Sequence, residues 1–96
     1  MLIARVVGSA VSTAEDARMT GLKLLVVRPA STADEVSGDA FVAVDTVGAG
    51  SGELVLVARG SAARHTDRTT DCPTDAAIVG ILDSLEVDGQ VTFRKS

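Results

Sequence analysis

The sequence has almost no aromatic side chains and very few residues of the kinds that build catalytic or metal sites. Its 96 residues include two phenylalanines, Phe41 and Phe93, and contain neither Trp nor Tyr. The hydrophobic core must therefore be built from Val, Leu, Ile and Ala. A single cysteine, Cys72, excludes a disulfide within the chain, and this count fits a reducing compartment.

The chain also lacks a concentrated basic patch. Nine Lys and Arg residues stand against 13 Asp and Glu, which gives a formal net charge of −4, and the densest basic pair is Arg94-Lys95. An acidic chain repels phosphate backbones. Barrels that bind single-stranded nucleic acid also stack the bases on aromatic side chains, which are scarce here. We therefore expect no nucleic-acid partner.

The apolar segment at residues 1–12 is too short to span a bilayer, and it lacks the basic start and long apolar run of a signal peptide. We predict that it is the first strand of the fold. We accordingly expect no membrane partner and a cytoplasmic location.

Runs of aliphatic and β-branched residues dominate the chain, whereas helical periodicity is weak, so we predict mainly strands. A proline cannot donate to a ladder, and Pro29 is expected to end the second strand. Ser61 is the predicted N-cap of a short helix over residues 61–64. The predicted strands are residues 2–12, 22–27, 41–44, 53–58 and 76–82, followed by a hairpin or tail strand over 87–93 at Asp88-Gly89.

This pattern predicts an all-β fold with one short helix, a small five-stranded OB-like β-barrel. Residues 1–96 are expected to form a single domain, with 84–96 as a tail or an extra hairpin. Residues 24–27, 54–57 and 78–82 are apolar on both faces, and a chain of this size has little left to cover the outer face. We expect partner subunits to cover it; the alternative is a monomer covered by its own loops.

Two clusters are candidates for chemistry. His65 and Cys72 share a loop with Asp67 and Asp71, but their spacing matches no established metal motif, and a solvated polar loop is the favoured interpretation. Ser61 precedes His65 by four residues, which is common on helices by chance, and the sequence contains no Gly-x-Ser-x-Gly elbow. We predict no enzyme activity, no metal and no cofactor.

Asp75 and Asp83 flank an apolar segment, and a strand between them would hold the two carboxylates too far apart for acid–base work. Both are interpreted as the polar ends of a buried strand.

The glycine-rich segment at Gly48, Gly50 and Gly52 superficially resembles a phosphate loop, but it leads into a strand and no Walker lysine follows. Close backbone approach explains these glycines better, either within the chain or around a symmetry axis. Asp45 precedes the segment, and we expect it to hydrogen-bond the loop backbone.

Several blocks of the sequence together resemble the EutN/CcmL family of bacterial microcompartment vertex proteins, which occur in carboxysomes and metabolosomes. The blocks are residues 1–8, 21–27, 44–50, 52–53, 55–57, 60–64 and 75–83, so the resemblance covers nearly all of residues 1–83. It implies a five-stranded OB-like barrel assembled as a homopentamer. Such pentamers sit among hexameric shell-tile proteins, because hexagons tile flat sheets and a closed polyhedron needs five-fold corners. Head-to-tail cyclic contacts give that symmetry.

The resemblance also implies roles for individual residues. Gly48, Ala49 and Gly50 are expected to line an axial opening or a subunit contact; an ordinary strand connection is the alternative. Ser61 and Arg64 match the family's Gly-Ser-Ser-Ala-Arg block, in which Ala62 replaces one serine. They are expected to contact a neighbouring subunit or a shell tile, or else to be solvated. The residues expected to be structural are Asp45, Gly60, Asp75, Gly80 and Asp83.

The sequence thus predicts a non-enzymatic shell protein whose homopentamers cap the vertices of a bacterial microcompartment. A small ligand-binding barrel is the alternative, and an enzyme using Ser61 and His65 is the third hypothesis. Residues 65–73 and 84–96 match no motif of the family.

Overall fold

The computed structural model of the protein describes residues 1–13, 17–66, 69 and 74–96. Two short 3-10 helices, Ala17–Met19 and Gly60–Arg64, accompany the strands in these residues. The strands are β1 (Leu2–Ala10), β2 (Lys23–Pro29), β3 (Phe41–Asp45), β4 (Leu54–Arg59), β5 (Ala76–Ile81), β6 (Ser84–Val87) and β7 (Gln90–Arg94). None of the described helices is long and apolar enough to cross a membrane.

Five strands close into a barrel in the order β1-β2-β3-β5-β4. Neighbouring strands are antiparallel except β3 and β5, which run parallel. Closure pairs the edges that an open sheet would expose to other chains. The predicted five-stranded barrel is confirmed, and its short helix is a 3-10 turn.

The barrel interior is filled by small aliphatic side chains. Alternate residues of each strand point inward, because successive side chains in a strand lie on opposite faces. No aromatic ring belongs to the buried cluster, although Phe41 packs against it from a half-buried position. The cluster consists of Ala4, Val6, Leu25, Val27, Ala43, Ala49, Val55, Val57, Ala76 and Ile78.

Two predicted boundaries of the barrel strands differ from the structure by two residues, and the others differ by one residue or none. Strand β2 includes Pro29, which lies opposite Ala4 of β1, instead of ending before it. Pro29 is the last residue of the strand, and its carbonyl accepts a hydrogen bond from the Ser37 amide at 3.0 Å. A proline is tolerated at such a position because its missing N–H breaks no interior ladder. Strand β1 ends at Ala10, and Val11 beyond it is fully exposed.

The predicted cap at Ser61 is wrong. The turn begins one residue earlier, at Gly60, and Arg59 occupies the capping position without a side-chain hydrogen bond. Gly60 has φ +64, and its amide donates to the carbonyl of Asp75 at 2.8 Å. A left-handed glycine that ties the end of β4 to the start of β5 therefore sets the turn, and no side-chain cap is needed.

Of the two alternatives for the end of the chain, a hairpin or a tail strand, the structure has the hairpin, and it begins at Ser84. Strands β6 and β7 form a two-stranded sheet of their own, with a bulge between Leu85 and Glu86. Asp88 and Gly89 connect them with φ values of 51° and 78°. Positive φ at both central residues is the requirement of a type I′ turn, and Asp-Gly is a preferred pair for it.

Candidate functional site

The directions of the strands place three of the connecting segments at the same end of the barrel. Strand β4 is antiparallel to both β1 and β5, and β5 is parallel to β3, so β1, β3 and β5 all finish at the same end. The segment after β3, the end of β1 with the start of β2, and the start of the terminal hairpin therefore share this end. We call it the loop end of the barrel.

Asp45 organises the segment that follows β3. Its carboxylate is buried and accepts hydrogen bonds from the backbone amides of Val47, Gly48 and Ala49 at 3.1, 3.2 and 3.0 Å. The ammonium group of Lys23 lies 3.7 Å from the same carboxylate. A buried charge is tolerated only when it is paired and hydrogen-bonded, and this one is both. The loop is therefore held in a single shape.

The three small residues of this loop have different environments. Gly48 has φ +77, a conformation that favours glycine. Ala49 is buried in the barrel core, and its carbonyl accepts a hydrogen bond from Lys23 at 3.0 Å. Gly50 is half-buried, and a Cβ there would lie 3.3 Å from a carboxylate oxygen of Glu53. Close approach, and not positive φ, accounts for Gly50, whereas positive φ accounts for Gly48 and Gly52.

Glu53 links this loop to the C-terminus. Its carboxylate accepts the amide of Gly50 at 2.6 Å and lies 2.7 Å from the ammonium group of Lys95. The hydrogen bond from Lys95, together with that from Gly50, lowers the pKa of Glu53 below its ordinary value. The same contact with Glu53 raises the pKa of Lys95. Lys95 is exposed and Glu53 is half-buried, so solvent screens the ion pair and the link positions the chain end more than it stabilises the fold.

Ser61 and Arg64 lie near the opposite end of the barrel, where β4 finishes. Both side chains are exposed, whereas Ala63 between them is fully buried. The hydroxyl of Thr69 donates to the carbonyl of Ala63 at 2.7 Å and so closes the turn from beneath. Ser61 and Arg64 are therefore exposed on a turn whose backbone is held in place.

The three remaining predicted structural residues sit around β5. A Cβ on Gly80 would lie 3.5 Å from the side chain of Leu56, the residue opposite it on β4. Asp75 and Asp83 are exposed, and the carbonyl of each accepts a backbone amide, from Gly60 and Lys95 respectively, at 2.8 Å. Asp75 and Asp83 therefore act through their main-chain carbonyls, which hold neighbouring segments at the two ends of β5.

The structure does not bring the catalytic or metal candidates into a site. Ser61 and His65 are both exposed, and they form no hydrogen bond with each other among the described residues. Asp67, Asp71 and Cys72 lie outside the described part of the chain. Within that part, no three His, Cys, Asp or Glu side chains are grouped to hold a metal ion.

Sequence reasoning missed three residues of the loop end. Lys23, Glu53 and Lys95 form its ion pairs, but Glu53 and Lys95 are separated by 42 positions. Nothing in the sequence pattern links residues so far apart; only the fold of the barrel brings them together.

Known proteins resemble this chain along its whole length. A sequence model described as ethanolamine utilisation protein EutN/carboxysome matches residues 1–83. The carboxysome shell vertex protein CcmL of Thermosynechococcus vestitus is 47% identical over 95 residues, which cover 99% of this chain and 96% of that protein.

Solved structures agree with this result. The structure of Gloeobacter violaceus CcmL superposes with a TM-score of 0.93 at 39% identity, covering 99% of this chain and 98% of that one. The GrpN pentameric microcompartment shell protein from Rhodospirillum rubrum superposes with a TM-score of 0.79 at 44% identity, covering 91% of this chain and 98% of that one. The chain therefore belongs to the EutN/CcmL family.

Proposed function

We propose that this chain is a structural shell protein whose homopentamers cap the vertices of a bacterial microcompartment, beside hexameric shell-tile proteins. The observation that carries the proposal is the full-length match to shell vertex proteins, in sequence and in fold. GrpN, which shares 44% of its sequence with this chain, is a pentameric shell protein. A head-to-tail ring of five copies is the assembly that such a relative supports.

The outer surface of the barrel supports an oligomer. Val7 and Val42 on the barrel strands are 46% and 47% exposed, and Val47 in the loop after β3 is 38% exposed. A small domain buries a limited share of its surface, so covering such side chains with sister copies adds stability. The side chains of the barrel core, in contrast, are already buried within the single subunit.

We further propose two contact regions. The loop at Gly48, Ala49 and Gly50 lines the axial opening or a subunit contact, with its backbone and the exposed Val47 presented outward and Ala49 directed into the core. Ser61 and Arg64, exposed at the other end, contact a neighbouring subunit or a shell tile. An arginine suits such a contact because its planar guanidinium forms paired hydrogen bonds with carboxylates or carbonyls.

A structural role without catalysis accords with the described residues. Ser61 and His65 are exposed and unpaired with each other, so among residues 1–13, 17–66, 69 and 74–96 neither has a general base or an orienting partner in place. The ligand-binding alternative needs a chamber, but the barrel interior is occupied by packed side chains. The shell function is therefore the one that we adopt.

Native mass spectrometry of the full chain tests the proposed assembly. We expect a dominant species of five subunits, and a clean monomer at high concentration would contradict the proposal. Co-expression with hexameric tile proteins, with and without this chain, tests the vertex role. Closed particles are expected only when the chain is present, and closure without it would contradict that role.

A matched pair of variants tests the loop contact. Gly50→Leu places a bulky side chain against Glu53 and is expected to disturb ring formation, whereas Thr32→Leu, on an exposed loop at the other end, leaves the ring intact. A normal pentamer of unchanged stability with Gly50→Leu would refute the proposed crowding. The measurement is the five-subunit fraction in native mass spectra.

A further inference from the structure

The outer surface of strands β1, β2 and β3 is apolar and partly exposed. Alternate residues of β2 and β3 belong to the buried core cluster, so the residues between them face outward. Val26 of β2 lies opposite Val42 of β3, and Gly8 of β1 lies opposite Val26. Gly8 and Val26 are half-buried, and Val42 is 47% exposed. We call this row across three strands, Gly8, Val26 and Val42, the outer row.

The outer row is continued by apolar residues on one side and bordered by a polar one on the other. Ala10 and Leu24, which pair with each other on β1 and β2, are half-buried and lie toward the loop end. The apolar surface ends at Arg28, the next outward residue of β2, whose guanidinium donates to the carbonyl of Gly38 at 3.0 Å. Single exposed valines are common on protein surfaces, whereas a continuous apolar surface with a polar border is typical of a protein–protein contact.

The outer surface of β3, β5 and β4 is covered by the chain itself. Val44, Ala77 and Ala58 lie side by side on these strands and are 1%, 0% and 5% exposed. The 3-10 turn Gly60–Arg64 contacts β4 and β5, and Ala63 within it is fully buried. The fold therefore buries one outer surface of the barrel and leaves the outer row half-covered.

Gly8 is not explained by contacts within the subunit. Its φ is not positive, and a Cβ there would contact the Cβ of Val26 at 3.8 Å, which is an ordinary packing distance. The bulge beside it, between Val6 and Gly8, does not account for the glycine, because the bulge type that favours glycine has it in a left-handed conformation. A glycine weakens a strand, and it often marks a place where another backbone approaches closely.

We propose that the outer row of each subunit is buried against the neighbouring copy of this chain in the ring. The proposal rests on the proposed pentamer and names a surface through which one copy contacts the next. Each copy carries a formal net charge of −4, so sister copies repel each other, and the repulsion is weakest where the contact surface carries no charge. The missing side chain at Gly8 lets the neighbour approach the sheet closely, while Val26 and Val42 supply the apolar contact.

A closed ring explains how a single apolar face can be covered in every subunit. In a head-to-tail ring each surface meets a different surface of the next copy, so the outer row needs no second copy of itself on the same subunit. An open chain of copies would leave the row exposed at one end. Ring closure therefore removes the last exposed row from water, and this burial favours the closed assembly.

Thiol protection tests the contact in the full chain. In a Cys72→Ser background, Val42→Cys is compared with Val91→Cys, because the two valines are similarly exposed in the subunit, at 47% and 51%, and Val91 lies on the terminal hairpin. In the pentamer we expect the thiol at position 42 to react with a maleimide at least about tenfold more slowly than the thiol at position 91, because the centre of an interface excludes water. In dissociated subunits the two rates should be similar.

Substitution of Gly8 separates the contact from the fold. Valine favours a strand more than glycine does and has room in the subunit, so Gly8→Val should not lower the melting temperature of dissociated subunits. In the pentamer its side chain occupies the space of the neighbour, and we expect the concentration at which half of the pentamer dissociates to rise at least about tenfold. Gly8→Ala adds one methyl group and should have a smaller effect. A lower melting temperature with unchanged assembly would show that Gly8 serves the fold alone and would refute its part in the contact.

The outcomes separate the contact from the assembly. An unmodified chain that is monomeric refutes the proposed pentamer itself, and the contact with it. A pentamer in which the thiols at positions 42 and 91 react at equal rates refutes the contact and leaves the pentamer standing. A thiol at position 42 that becomes protected only when hexameric tile proteins are added also refutes the contact, because a tile would then cover the outer row.

Discussion

The loop after β3 and the terminal hairpin lie at the same end of the barrel but are held in opposite ways. Asp45 binds three backbone amides of the loop and lies beside Lys23, so the loop is fixed from within its own subunit. The hairpin is fixed at its base by Glu53 and Lys95, while its valines point outward. The comparison teaches that two neighbouring segments can differ in how they are held. The loop is hydrogen-bonded along its length, whereas the hairpin is attached to the barrel at its base.

This division has an energetic consequence. Segments with buried apolar contacts open only with global unfolding, whereas those with few such contacts open locally at low cost. The barrel and the Asp45 loop belong to the first kind, and the tip of the terminal hairpin, residues 86–91, belongs to the second because all of its residues are exposed. Variants in the two regions should therefore differ in size of effect.

The largest expected difference lies between a core residue and a tip residue. Ile78→Ala removes a fully buried side chain of β5, and we expect it to lower the free energy of unfolding by about 4 kcal/mol. Val91→Ala, measured on dissociated subunits, should change it by less than about 0.5 kcal/mol. Denaturant unfolding at matched protein concentration measures both. If both substitutions lowered the free energy of unfolding equally, the tip would be packed within its own subunit, and the proposed difference between the two regions would be wrong.

Asp45 gives the next largest effect. Asp45→Ala leaves three amides without their acceptor, and we expect the free energy of unfolding to fall by about 3 kcal/mol. Asp45→Asn retains one amide oxygen and should cost about half as much. Asp39→Ala, at an exposed aspartate, is the control and should change little. A loss with Asp45→Ala no greater than the control would refute the fixed loop.

The sequence predicted the five barrel strands because each is a β-branched run between turn residues, as with Leu54–Arg59. It left a hairpin or a tail strand open at Asp88-Gly89, and the structure has the hairpin, whose turn depends on local chemistry. The cap at Ser61 failed because Gly60 and Asp75, distant in sequence, set the start of the turn. The ion pair between Glu53 and Lys95 was likewise out of reach, because it depends on where the barrel brings the chain end.

A smaller effect distinguishes backbone strain from packing in the loop. Gly48 has φ +77 with open space where a Cβ would lie, so Gly48→Ala is strained by its backbone alone. We expect a loss of about 1 kcal/mol in the free energy of unfolding. Gly48→Asn should lose less, because asparagine adopts left-handed conformations more readily. Equal losses for Ala and Asn would indicate that the side chain clashes with something, contrary to the open space seen in the subunit.

The smallest effect concerns the link that anchors the hairpin. Lys95→Met removes the partner of Glu53, and we expect a small decrease in melting temperature near neutral pH, with Lys23 and the Asp45 loop unaffected. Because the folded pKa of Glu53 is lowered, the link contributes above the ordinary pKa of a glutamate and is lost as the pH falls through the folded value.

The difference in melting temperature between the unmodified chain and Lys95→Met should therefore be largest near neutral pH and should disappear in acid. Lys95→Arg, which keeps the positive charge, is the control, and its melting temperature should stay close to that of the unmodified chain. A gap that persists after Glu53 is protonated would mean that the Lys95 stem, by packing, anchors the hairpin. The base of the hairpin would then be packed as part of the barrel. The weakly held region would be limited to the part of the hairpin beyond the bulge after Leu85.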